Sequence, residues 1–104
     1  MNLTKDADKL ACYIYKAYLE KRKSNISKIQ ARNFEFEDLQ NLKVCSNWTD
    51  SNIKATIAEI SRAGLGDMYY SGGIYLNDAF IIYMENRFKN GLKEVLDFIS
   101  NFIP

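Results

Sequence analysis

Apolar residues recur along this chain at helical spacing in its first fifth and through its last half, where two short β-prone runs interrupt them. Leu3, Ala7, Leu10, Ala11, Ile14, Ala17 and Tyr18 repeat every three or four positions, the period of a helix with one buried face. Thr4 is placed to cap it, and Asp6 and Asp8 stand in the first turn, where the helix dipole favours acids. The pattern ends near Lys21, and Glu20 to Asn25 reads as a frayed end and a turn. Ser27 caps a second, short helix from Lys28 to about Phe34. Phe34, Glu35, Phe36 and Glu37 alternate apolar and polar, then the pattern lapses before Leu42. That stretch is a short strand or a helical turn, and the turn is favoured.

The third helix is the best signalled. Thr49 is a good N-cap, and Trp48 before it and Ile53 after it have the spacing of a hydrophobic staple, which sets the entry angle of the chain. Ile53, Ile57 and Ile60 form its inward stripe; Gly64 stands where a left-handed cap is expected, with Leu65 as the following apolar contact. Met68-Tyr69-Tyr70 and Ile74-Tyr75-Leu76 are β-prone runs flanking Ser71-Gly72-Gly73, a hairpin loop. Asn77 caps a fourth major helix with Phe80, Ile81, Tyr83, Met84 and Phe88 on its apolar face, and Asn90-Gly91 interrupts it. Leu92, Val95, Leu96, Ile99, Phe102 and Ile103 mark a final amphipathic helix. The expected fold class is mainly α with a small β-hairpin, α+β, in one domain over residues 1–104.

Composition narrows the chemistry. The chain has no histidine and two cysteines, Cys12 and Cys45, which removes His-dependent triads, imidazole bases and zinc fingers. Two thiols without a signal peptide fit a reducing cytoplasm rather than a disulfide scaffold. The longest apolar run, Phe80 to Met84, is too short to cross a bilayer, so no membrane partner is expected. Glu35, Glu37 and Asp38 are near-adjacent carboxylates without a partner base or nucleophile, better read as a solvated acidic loop than as a cation site. Neither catalysis nor a metal or cofactor is implied. Charge is unevenly spread: residues 1–33 hold eight Lys/Arg against three Asp/Glu, whereas residues 34–86 hold three against eight. A basic front meets nucleic acid and an acidic middle repels it.

The segment from Ile53 to Leu65 resembles the recognition helix of small winged helix-turn-helix proteins of bacteria, many carried by low-GC Gram-positive genomes, phages and plasmids. Ile74 to Glu85 is similar to the second wing strand and following helix of that family, with Asn77 in place of the usual Thr cap and Phe80 where glycine is common. The resemblance implies a winged helix-turn-helix with an extra C-terminal helix, binding double-stranded DNA through the third helix and a wing. It also implies homodimerisation through the last helix, residues 88–103.

On that basis Ser51, Lys54 and Arg62 are the groove candidates, on an outward face shared with Ala55, Ala58 and Glu59. Lys21, Arg22, Lys23, Lys28 and Arg32 are the phosphate candidates. Against both stands an ordinary solvated surface, and against the groove candidates the charges of Asp50 and Glu59, which cancel Lys54 and Arg62. The wing loop carries no Lys or Arg, and its tyrosines Tyr69, Tyr70 and Tyr75 are expected to pack on the core. Leu92, Val95, Phe98, Ile99 and Phe102 occupy more of the last helix than one core contact needs and are the dimer candidates. Two functions follow as alternatives: a cytoplasmic, homodimeric DNA-binding transcription regulator, or a module of the same fold that binds a protein partner, as an adaptor or phage-type inhibitor.

Overall fold

A computed structural model describes residues 2–102. The chain runs α1 (Lys5–Lys23), α2 (Lys28–Ala31), β1 (Asn33–Phe34), α3 (Phe36–Gln40), a 3-10 turn (Lys43–Cys45), α4 (Asp50–Arg62), β2 (Gly66–Met68), β3 (Ile74–Leu76), α5 (Asp78–Arg87) and α6 (Leu92–Ser100). It is a mainly helical α+β fold with one small antiparallel sheet ordered β1-β3-β2. No helix among the described residues is long and apolar enough to cross a membrane. Ile103, assigned above to the final helix, lies outside the described residues.

Local chemistry places the helix starts. Side chains of Thr4, Ser27, Thr49 and Asn77 accept from the backbone N–H three residues on, at 3.3, 3.2, 3.1 and 3.0 Å. The end of α4 is a Schellman turn: Gly64 takes φ +83°, and the N–H groups of Gly64 and Leu65 donate to the carbonyls of Ser61 and Ile60. The end of α1 is the same motif, with Asn25 at φ 66° and Ile26 donating to the Lys21 carbonyl at 3.0 Å. Lys21, Arg22 and Lys23 therefore stay helical rather than fraying.

Two expectations shift and a third holds. The second helix stops at Ala31, because Asn33 and Phe34 pair with Tyr75 and Ile74 as an edge strand. A two-residue strand has no periodicity to read; its partner lies some forty residues on. The favoured helical turn does form, over Phe36–Gln40. The hairpin begins earlier than its β-prone residues: Gly66 pairs with Leu76, Asp67 with Tyr75 and Met68 with Ile74. Tyr69 and Tyr70 thus belong to the connecting loop, closed by Tyr69 N–H to the Gly73 carbonyl at 2.8 Å and Gly72 N–H to the Tyr69 carbonyl at 2.9 Å.

The core is built around α1. Ala7, Leu10, Ala11, Cys12, Tyr13, Ile14, Tyr15 and Tyr18 are all buried, a wider arc than one stripe. Onto them pack Ile53, Ile57 and Ile60 of α4, Phe80 and Met84 of α5, and Val95 and Ile99 of α6. Phe80, the bulky departure noted above, is fully buried with its ring edge-on to Tyr15 at 6.4 Å. Gly73 lies against the backbone from Phe34 to Phe36, where any Cβ would collide. Gly73→Ala is therefore expected to cost about 1–3 kcal/mol by overpacking, read as a lower urea midpoint with unchanged m-value.

Burial also sets the thiols. It pushes Cys12 up to about 12 and Cys45 up to about 11, from an ordinary 9.0. Both thiols are expected to resist a disulfide-exchange reagent near neutral pH and to react together once the chain is unfolded. The unfolded chain releases these protons at lower pH than the native one, so their contribution to stability is whole below pH 9.0 and lost as pH rises toward about 12. A urea midpoint that did not fall above pH 9.0 would contradict this.

Candidate nucleic-acid interface

The exposed side of α4 carries Ser51, Lys54, Ala55 and Arg62, with half-buried Ala58 between them. Two acids flank these positions in sequence, and both are turned aside. Glu59 accepts from the Thr4 hydroxyl at 2.7 Å, which holds its carboxylate at the N-terminus of α1. Asp50 accepts from the Gln40 amide at 2.9 Å, toward the end of α3. Lys54 lays its stem along Gly72 of the hairpin loop and sets its ammonium 5.0 Å from the Phe36 ring centroid. Arg62 is exposed and forms no ion pair or hydrogen bond with the described residues. The helix thus offers two cations separated by small side chains, a surface that permits close approach.

The five phosphate candidates separate into two sets. Lys21 donates to the Asn33 carbonyl at 2.9 Å and lies 3.7 Å from the Phe34 ring centroid, so it ties α1 to β1. Partial burial lowers its pKa. Arg22 donates to the Ile26 carbonyl at 2.9 Å and closes the turn after α1. Arg32 pairs with Asp78 at 2.7 Å and ties α2 to α5. Only Lys23 and Lys28 of the five are exposed without such a bond among the described residues. The structure therefore spends three of these cations on the fold, because their partners sit four to forty-six residues away. The acidic run is similarly occupied: Asp38 accepts from the Glu35 N–H at 2.8 Å and caps α3.

The dimer candidates also divide. Val95 and Ile99 are buried against the chain's own core, and Phe98 and Phe102 are half-buried in an aromatic chain with Phe88, at 5.4 and 5.2 Å between centroids. Arg87 stands 4.6 Å from the Phe98 centroid while its guanidinium grips Asp8 of α1 through both terminal nitrogens. These four residues dock α6 onto its own domain, and Leu92 is half-buried beside them. The apolar side chain that α6 leaves outward is Leu96, 40% exposed.

Tyr69 is half-buried with its hydroxyl donating to the Asn33 side chain, and Tyr75 is half-buried in the sheet, but neither joins the core cluster around α1. Tyr70 is fully exposed at the tip of the loop. The signal that separates the two tyrosines is Gly72-Gly73, which lets the loop curl so that neighbouring residues face opposite ways.

No family model matches the chain, and no curated protein or solved structure does so either.

Phe98→Ala is expected to lower stability by about 2 kcal/mol, since it empties half a buried aromatic site. Leu96→Glu should leave the melting temperature within a degree or two, as exposed substitutions do. If the chain self-associates through α6, Leu96→Glu is the variant that lowers the mass seen by light scattering while the fold is intact.

Proposed function

We propose that the chain is a winged helix-turn-helix protein that binds double-stranded DNA and regulates transcription in the cytoplasm. The order α1, β1, α3, α4, β2, β3, with β1 pairing to β3, supports that fold: α3 and α4 stand as the helix-turn-helix and the β2–β3 hairpin as the wing. The observation that carries the function is the outward strip of α4. Ser51, Ala55 and Ala58 keep it narrow, Lys54 and Arg62 give it positive charge, and Glu59 and Asp50 are bonded away from it. Such a helix enters a major groove with little desolvation of acids. Lys23 and Lys28 then serve as backbone contacts and Lys54 and Arg62 as groove contacts. A second copy, placed through Leu96 and the outward side of α6, would supply the other half-site.

A second reading has its own support. With Lys21, Arg22 and Arg32 held inside the fold, the basic surface is smaller than the sequence count, while Ile29, Ile82 and Leu96 are exposed apolar side chains. Those features favour a module of this fold that binds a protein instead.

Fluorescence anisotropy against a mixed-sequence duplex over a salt series decides between them. The two backbone cations, Lys23 and Lys28, predict a slope of log K against log salt of about −2, and replacing either by Ala should reduce it by about one, whereas Lys54→Ala or Arg62→Ala should weaken binding with the slope little changed. Absence of binding at low salt would leave the protein-binding reading.

A further inference from the structure

Tyr70 is 109% exposed, at the limit of what a side chain in a folded chain can show. A ring this exposed buries nothing in its own fold, so its whole face is open to a ligand. Here the backbone is fixed. The loop is closed by two hydrogen bonds, Gly73 is wedged against the backbone of Phe34 to Phe36, and Tyr69 anchors one side through Asn33. Gly72 rests on the stem of Lys54, so the tip stands beside the outward strip of α4. The loop from Tyr69 to Gly73 contains no Lys or Arg, so it has no charge with which to hold a phosphate. What it offers is an open π-face on a fixed backbone. In an intact duplex the base faces are already stacked; only a base freed from its neighbours presents one.

Resting on the DNA-binding reading above, we propose that Tyr70 is a stacking platform for an unstacked base, and that the protein prefers DNA in which base stacking is interrupted. Lys54 and Arg62 hold the flanking duplex while the ring of Tyr70 covers the base that has left the helix. The hydroxyl is not needed for this; the ring is.

The test uses the full chain and two duplexes of the same sequence, one intact and one with a single extra base at its centre, compared by anisotropy at one salt concentration. The wild type is expected to bind the bulged duplex about tenfold more tightly, the gain of one stacked base. Tyr70→Phe should keep that preference. Tyr70→Ala should abolish it while intact-duplex affinity and melting temperature stay unchanged, since the side chain makes no core contact. Equal binding of the two duplexes by the wild type overturns the inference and leaves DNA binding standing. So does a Tyr70→Ala variant that keeps the preference or weakens both duplexes alike. Failure to bind either duplex at low salt removes the DNA-binding reading and the inference together.

Discussion

Burial of α1 on most of its circumference is the constraint from which the rest of the structure follows. A helix covered on several sides needs small residues where neighbours come close and large ones where they stand off. Ala7, Ala11 and Cys12 provide the first, Leu10, Ile14, Tyr15 and Tyr18 the second. Each large apolar side chain removed from water contributes about 1.5–3 kcal/mol before its lost entropy is counted, so the arc rather than any one contact holds the chain together. The rotation of α4 is fixed by this arrangement. With Ile53, Ile57 and Ile60 buried in the same core, Ser51, Lys54, Ala55 and Arg62 have to face outward. The candidate interface is thus the back of a packing solution.

Polar contacts near the start of α1 then join elements that share no sequence neighbourhood. Asp8 binds Arg87 at the end of α5, and Arg87 in turn lies over Phe88 and Phe98, which brings α6 to the same point. Thr4, while capping α1, donates to Glu59 of α4. An arginine flanked by aromatic rings and a bidentate carboxylate is better solvated than one buried alone, which is why a charge at this junction is tolerated. Replacing it by lysine would keep the charge and lose the fork.

How much of this was legible in the sequence depends on the reach of the interaction concerned. Thr4, Ser27, Thr49 and Asn77 were readable as caps because a cap bonds three residues away. Gly64 was readable as a helix stop for the same reason, and the inward stripe of α4 because its period is local. Asn33 and Phe34 were not readable as a strand, since what makes them one is Tyr75 and Ile74. Nor was the docking of α6: its apolar arc was evident, but whether it meets its own domain or a second copy is decided by Arg87, Phe88 and α1. Tyr69 and Tyr70 carry the same side chain and differ only in which way a closed loop turns them.

The same limit explains why a charge count by segment does not say where each charge is held. In the basic front Lys21 is held by a carbonyl and a ring and Arg22 by a turn, both still charged, and Arg32 alone is paired with an acid, Asp78. In the acidic middle Asp78 is paired with Arg32, while Glu59, Asp50 and Asp38 are held by Thr4, Gln40 and a backbone N–H, neutral donors that leave their charge in place. Net charge by segment describes what the chain carries, whereas a polyanion responds to charge that remains exposed and unpaired within a Debye length of it. By that measure the front loses Arg32 alone, and the hydrogen bonds of Lys21, Arg22, Glu59 and Asp50 fix where their charges sit without removing them.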